Sequence, residues 1–211
     1  CMPEAEFTGT EYMHPDDRIP NSRDRYYLMK YDVATGLSER LTYGSHNVYL
    51  NDISPDGKKL LCSTSKPDIT RCPFSLSSLF EIDLTTLQAD TLVAWDAYLG
   101  SASYSPDGKQ LLVTGSPSAF GGIGKNCGEH PIANDFDTQA FIMDLATKKV
   151  QAITRDFNPT VSPVQWNRVD GCIYFDTTDG DCRHIYRYVP KTGGFEMLPL
   201  EEDVITSFTL A

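Results

Sequence analysis

The residues best equipped for chemistry share one polar stretch: Cys127, Glu129 and His130, with Asp135 and Asp137 just beyond. Thiol, imidazole and carboxylate are zinc-ligand types, but a single C-x-x-H pair lacks the second pair that closes a tetrahedral site. The stretch therefore reads as a polar loop packed on its neighbour. His14 with Asp16 and Asp17 reads the same way. The glycine run at 121–124 lacks the Lys-Ser/Thr and the strand-to-helix setting of a phosphate loop, so it reads as a flexible link. Acyl transfer by a strained serine needs Gly-x-Ser-x-Gly. The stretches at 43–47 ("YGSHN") and 114–122 ("TGSPSAFGG") both miss that spacing. No catalytic, cofactor-binding or metal-binding residue is assigned, and no cofactor is expected.

What would position such residues is a repeat. "ISPDGKKLLCST" (53–64) returns as "YSPDGKQLLVTG" (104–115), with Ser54 and Ser105 51 residues apart. Self-similarity at such a period marks a repeat architecture. In Ser-Pro-Asp-Gly, proline presets φ for a tight turn, Asp bonds its own backbone and Gly accepts positive φ. An apolar segment precedes each copy, and a β-prone run follows. After a loop come alternating segments, "SLFEIDL" (78–84) and "QAFIMDL" (139–145), then a polar turn and a fourth β-prone run. Period-two alternation between turn residues reads as short strands. Four such strands, repeated, read as a propeller blade.

A third, degenerate copy keeps Asp170-Gly171 at the turn, 63 residues after Gly108. Its strands are "PTVSPVQW" (159–166), "CIYFD" (172–176), "RHIYRYV" (183–189) and "FEMLP" (195–199). The ends are partial: a third and fourth strand around Ala34-Thr35-Gly36, and "DVITSFTLA" (203–211) as an opening strand. The fold expected is an all-β propeller of four-stranded antiparallel blades. It has a partial blade at 1–45, blades at 46–96, 97–156 and 157–199, and the first strand of another at 203–211. Two arrangements fit about four blades. Either the terminal strand completes the first blade and closes a four-bladed ring, or the chain is an arc of a ring of about seven or eight blades. The arc is favoured, since four blades is the low limit of the class.

Blade topology puts every loop between second and third strands on one face. Each such loop carries a cysteine: Cys72, Cys127 and Cys182. Cys72–Cys127 and Cys127–Cys182 are the candidate disulfides, with free thiols as the alternative. Cys172–Cys182 is argued against by hairpin register. A turn near Asp179-Gly180 sets Cys172 opposite about Arg187, roughly 17 Å from Cys182 at the strand rise. A disulfide needs Cα atoms about 4.4–6.8 Å apart. Cys62 aligns with Val113 and Phe175 and reads as a core residue. Trp95, Trp166 and Tyr104 read as blade-to-blade packing. A bridged pair would imply a compartment outside the cytoplasm.

Composition sets the outer bounds. The chain has 211 residues, a formal net charge of −11 and a pI near 4.7. Phosphate backbones are bound through Lys and Arg, so nucleic acid is not an expected partner. No apolar run is long enough for a membrane-spanning helix. The chain opens at Cys1 with neither an initiator Met nor a leader, and reads as a processed product, a lipid-modified one included, or a piece of something longer.

The repeated Ser-Pro-Asp-Gly-Lys, its "LLCST"-type strands and its "IDL"/"MDL" third strands resemble the TolB-like, WD40-like β-propeller repeat. "IYRY" (185–188) and "LPLEEDVITSFTLA" (198–211) resemble the propeller domain of the prolyl oligopeptidase family of serine peptidases, which includes dipeptidyl and acylaminoacyl peptidases. The resemblance covers most of residues 25–211. It implies a propeller that precedes an α/β-hydrolase domain and admits peptides by size, the catalytic Ser, Asp and His lying in that other domain. Expected partners are therefore a C-terminal α/β-hydrolase domain and peptide substrates, outside the cytoplasm. Dipeptidyl members hold the substrate amine with a Glu-Glu pair. Glu201-Glu202 lacks that motif's aromatic context and reads as solvated charge, so the role is not carried over. The alternative is a non-catalytic, TolB-like periplasmic interaction propeller. A third reading, a propeller lyase acting on oligosaccharides, needs clustered His, and the chain has only four.

Overall fold

The computed structural model describes residues 24–127, 137–157 and 159–210. A short hairpin, β1 (Met29–Tyr31) and β2 (Ser38–Arg40), comes first. Three antiparallel four-stranded meanders follow. The first is β3 (Val48–Ile53), β4 (Lys59–Pro67), β5 (Ser75–Asp83) and β6 (Ala89–Asp96). The second is β7 (Leu99–Tyr104), β8 (Gln110–Gly115), β9 (Gln139–Asp144) and β10 (Val150–Ala152). The third is β11 (Thr160–Trp166), β12 (Ile173–Asp179), β13 (Cys182–Val189) and β14 (Gly194–Met197). The architecture is the expected one: all-β, with four-stranded antiparallel blades.

Alternation along the middle strands explains why the sheets stack. Leu60 and Cys62 face one way on β4 and pack with Ile82 against Leu28 and Leu41 of the hairpin blade. Leu61 faces the other way, with Leu79 and Leu92, and meets Ala102, Tyr104, Leu111, Val113, Phe141 and Met143 of the second blade. Leu112, Ala140 and Ile142 then meet Val161, Ile173, Phe175 and Tyr188 of the third. Second strands are thus buried on both faces, which a run such as "KLLCST" satisfies and a polar-alternating strand would not. Cys62 is fully buried, and burial pushes its thiol up to about 12. It behaves as a small hydrophobe. Every first strand carries a register shift, at Leu50/Asp52, Leu99/Ala102 and Val161/Val164. Such bulges bend and twist the strand locally.

In the first two blades the turns between first and second strands are copies of one another, while the third blade closes its turn four residues back, Gly171 N–H donating to Asn167 O at 3.1 Å. Gly57 N–H donates to Ser54 O at 2.8 Å, and Gly108 N–H to Ser105 O at 2.9 Å. Ser54 Oγ donates to Asp56 Oδ1 and Ser105 Oγ to Asp107 Oδ1, both at 2.7 Å. Gly57 and Gly108 sit at φ +71° and +69°, conformations that an L side chain resists. The turns from third to fourth strand repeat as well. Asp32, Asp83 and Asp144 accept N–H bonds from Thr35, Thr86 and Thr147 three residues on. The residue after each Thr closes back on the Asp carbonyl: Gly36, Leu87 and Lys148, all at positive φ.

Three expectations shift. The hairpin of the third blade turns over Gly180-Asp181, with Asp179 opposite Cys182, so Arg187 faces Tyr174 rather than Cys172. That register moves Cys172 still further from Cys182. The glycine run at 121–124 is a packed turn, not a loose link. A Cβ on Gly124 would lie 2.3 Å from Gln139 Oε1 and 3.1 Å from both Phe141 and Pro117. Trp95 lies at the surface instead of in a seam, at φ +50°. Residues 203–210 form no ladder with a second strand; Val204 makes one parallel bridge to Arg183.

Candidate docking face

An antiparallel meander sends its tight turns to one side and its second-to-third loops and blade-to-blade links to the other. The loop side is where chain length varies, so it is where a binding surface can be built without disturbing the strands. Here the first blade closes that loop in seven residues, 68–74, and the second takes the chain from 116 to 138. Between them opens a cleft of about 580 Å³. Cys72 and Pro73 form one wall, the link at 97–100 the floor, and Gly115, Asp137 and Ser162 the far side.

Specific contacts hold that cleft open. Asp96, at the end of β6, accepts Tyr98 N–H at 2.9 Å through Oδ1 and Phe120 N–H at 2.7 Å through Oδ2. One carboxylate therefore ties the link between blades to the second blade's long loop. Phe120 seats its ring 5.2 Å from that of Phe141, which is fully buried. The loop is thereby rooted in the seam between the first two blades. Gly100 and Gly115 allow the floor to close: a Cβ on Gly100 would meet Thr114 Oγ1 at 2.6 Å, and one on Gly115 would meet Tyr98 O at 2.7 Å. Asp137 Oδ1 accepts the Thr160 hydroxyl at 2.9 Å, which links the rim to the third blade.

An aromatic platform stands on the same side of the first blade. Trp95 N–H donates to Ser78 Oγ at 2.9 Å, which fixes its bulged backbone. Lys66 Nζ lies 4.1 Å from the centre of the Trp95 ring, and the His46 ring lies 5.9 Å away. A positive φ at a bulky residue is an outlier, and such strain collects at binding surfaces.

On the opposite side, the seam between the first two blades holds a small polar pocket of about 200 Å³. Glu81, only 5% exposed, lies in it. It accepts the Tyr104 hydroxyl at 2.7 Å and Lys59 Nζ at 2.9 Å, while Asp52 Oδ2 accepts Tyr104 N–H at 2.8 Å. Burial and the Glu81 carboxylate push the Tyr104 phenol well above its usual range. Every charge here is answered, so this pocket is a structural seam.

The three loop cysteines are separate in the structure: Cys72, Cys127 and Cys182 are free thiols, Cys72 in the cleft wall and Cys182 at the start of β13. Burial and the Asp181 carboxylate raise the Cys182 thiol. Glu201 and Glu202 are exposed. His14, Asp16, Asp17, Glu129, His130 and Asp135 lie outside the described residues. Sequence reasoning missed Asp96, whose role depends on a residue 24 positions later. It also missed the Asp-x-x-Thr turns, although their spacing is written three times in the chain.

No protein-family model and no curated protein matches the chain. Solved structures do. TolB from Acinetobacter baumannii aligns at a TM-score of 0.57 and 21% identity, over 84% of this chain and 38% of that one. Oligogalacturonate lyase from Vibrio parahaemolyticus aligns at 0.62 and 17%, over 82% and 47%. The β-propeller domain of the Trilobed protease from Pyrococcus furiosus, described as having an open velcro topology, aligns at 0.50 and 16%, over 83% and 48%. The chain thus spans less than half the length of each of these structures. At such identities the likeness carries the fold and no more: this chain is built of β-propeller blades.

Proposed function

We propose that this chain is the propeller portion of a larger serine peptidase of the prolyl oligopeptidase type, and that it works outside the cytoplasm as a non-catalytic gate and docking surface for peptides. The observation that carries this reading is the open cleft on the loop side, rooted by Asp96 and Phe120 in the blade seam. A rigid floor with variable walls suits selection by size and shape. The wall-to-wall span is set by loops, so it can be tuned without touching a blade. The hydrolase chemistry would come from a companion α/β domain of the same polypeptide.

The test uses the full-length protein that contains this chain. A fluorophosphonate probe should label it at a serine outside residues 1–211. Shortening the 116–127 loop should change the longest peptide cleaved while leaving cleavage of a dipeptide anilide within about twofold of the parent. A full-length product that the probe leaves unlabelled, and that co-purifies with a protein partner through its loop side, would overturn this reading. It would establish the TolB-like interaction propeller in its place.

A further inference from the structure

The fourth strands of the three blades differ in length. β6 runs for eight residues, β10 for three and β14 for four. The additional residues carry β6 to the loop rim, across register shifts against β5 at Ser77/Leu79 and Leu79/Phe80. Trp95 stands at that end. Its φ of +50° is a conformation that a bulky residue resists, and hydrogen bonds on both sides hold it there. Its own N–H donates to Ser78 Oγ, on a residue only 5% exposed. The next residue, Asp96, is fixed by the Tyr98 and Phe120 amides. Backbone strain persists only where the surroundings over-determine it, and it clusters at ligand clamps.

The groups around the ring share one chemistry. Lys66 follows Leu60 and Cys62 on one face of β4, and its Nζ stands 4.1 Å from the centre of the Trp95 ring. Among the described residues no carboxylate lies within ion-pair distance of Lys66, whereas Lys59, Arg71, Lys148, Arg183 and Arg187 each have one. The His46 ring, in the link from the hairpin, lies 5.9 Å from the indole at 53°. An imidazole N–H adds a second donor. The seam below is filled by Leu28, Leu41 and Val48 against Leu60, Cys62 and Ile82. It is the bulge in its own strand that turns the ring outward.

We propose that Trp95, Lys66 and His46 form a binding site for the C-terminal residue of a peptide, with its α-carboxylate on the Lys66 ammonium and the His46 imidazole and its apolar side chain against the indole. An ammonium fixed beside an indole matches a ligand in which one negative charge adjoins one apolar group. A terminal amino acid has that combination. A polyanion does not suit the site, because the chain carries a formal net charge of −11 and Asp68 and Asp96 stand close to Lys66 and Trp95 in the sequence. Every charge beyond the first would meet like charge. This inference rests on the reading of the loop side as a docking surface for peptides, but none of its three residues lines the cleft.

The 211-residue chain itself is the sample, and the probe is acetyl-Ala-Ala-Phe with a free carboxylate. With Trp166→Phe, Trp95 is the remaining tryptophan, and its fluorescence should change saturably as peptide is added. Calorimetry on the unaltered chain should return the same Kd. Amidating the peptide's terminus should weaken binding about tenfold or more, the loss that follows removal of a charged hydrogen bond. Lys66→Met, which keeps the apolar stem and drops the charge, should do the same. Trp95→Ala should abolish binding while leaving the urea midpoint in place. Equal Kd values for acid and amide, or a Kd that Lys66→Met leaves unchanged, would overturn the proposal. So would tighter binding of a uronate trisaccharide through the same residues, or no heat and no fluorescence change at millimolar peptide. None of these results bears on probe labelling of the full-length protein, so failure here and failure of the peptidase reading are separable.

Discussion

The two rims of these blades follow opposite rules. On the turn side of the first two blades, Ser54 and Ser105 build the same turn around the same serine-to-aspartate bond, and Asp32, Asp83 and Asp144 repeat a second one. On the loop side, no two blades agree: seven residues at 68–74, a long excursion after Gly115, a two-residue reversal at Gly180-Asp181. The turn side is local chemistry, closed within six residues. The loop side is held by contacts between blades, such as Asp96 to Phe120. Repetition keeps the blades in register, and the rim it leaves free is where a surface can diverge.

The most damaging way to blur that contrast is Phe141→Ala. Phe141 is fully buried in the seam and also carries the Phe120 ring that roots the long loop. Removing it should cost about 3–5 kcal/mol, read from urea unfolding, and should open the 116–127 loop to limited proteolysis under native conditions. Tyr104→Phe comes next. It strips the buried Glu81 Oε1 of its donor, for about 1–3 kcal/mol. Trp95→Ala, on the exposed platform, should stay within about 0.5 kcal/mol in the same assay. If Trp95→Ala proved the costlier of the two, the division into a structural seam and a free surface would fail.

Acid should weaken the turn side. The Asp83 carboxyl is held below its usual range by the Thr86 N–H, that of Asp144 by the Thr147 hydroxyl, and those of Asp56 and Asp107 by the Ser54 and Ser105 hydroxyls. A carboxyl with a depressed folded pKa gives its stabilisation above the unfolded value, near 3.9. That contribution is lost as pH falls through the folded value. Urea midpoints should therefore hold from pH 7 to about 5 and fall steeply below about pH 4. The double variant Asp83→Asn/Asp144→Asn should flatten that fall while lowering the midpoint at pH 7.

What the sequence discloses follows the same division. Strand order, the Ser-Pro-Asp-Gly turns and the burial of Cys62 are readable because each depends on residues within a few positions. The Asp-x-x-Thr turns are equally local and were legible at Asp32, Asp83 and Asp144 to anyone comparing third-strand endings. Asp96 is different. Nothing near it announces that its second oxygen will take an amide from another blade. The tight fit of Gly124 against Gln139 and Phe141 is hidden for the same reason, and a glycine run without that contact reads as slack. Trp95 misleads because a tryptophan in a strand is usually buried, and only the bulged backbone turns it outward.

The smallest effect is the most discriminating test of turn equivalence. The chain closes its third-to-fourth turns through one residue at positive φ: Gly36 at +73° in the first case, but Leu87 at +56° and Lys148 at +58° in the next two. A side chain there strains the backbone by about 1–2 kcal/mol. Glycine would relieve that but loses about 0.5–1 kcal/mol of unfolded-state freedom. Leu87 is exposed, so little packing is forfeited. Leu87→Gly should therefore stabilise by about 0.5 kcal/mol, raising Tm by roughly 1–2 °C, whereas glycine in a strand, as in Thr91→Gly, should destabilise by about 0.5–1 kcal/mol. A Tm that falls with Leu87→Gly would mean that the three Asp-x-x-Thr turns share a hydrogen bond without sharing a backbone. The turn rim would then be less uniform than its bonds suggest.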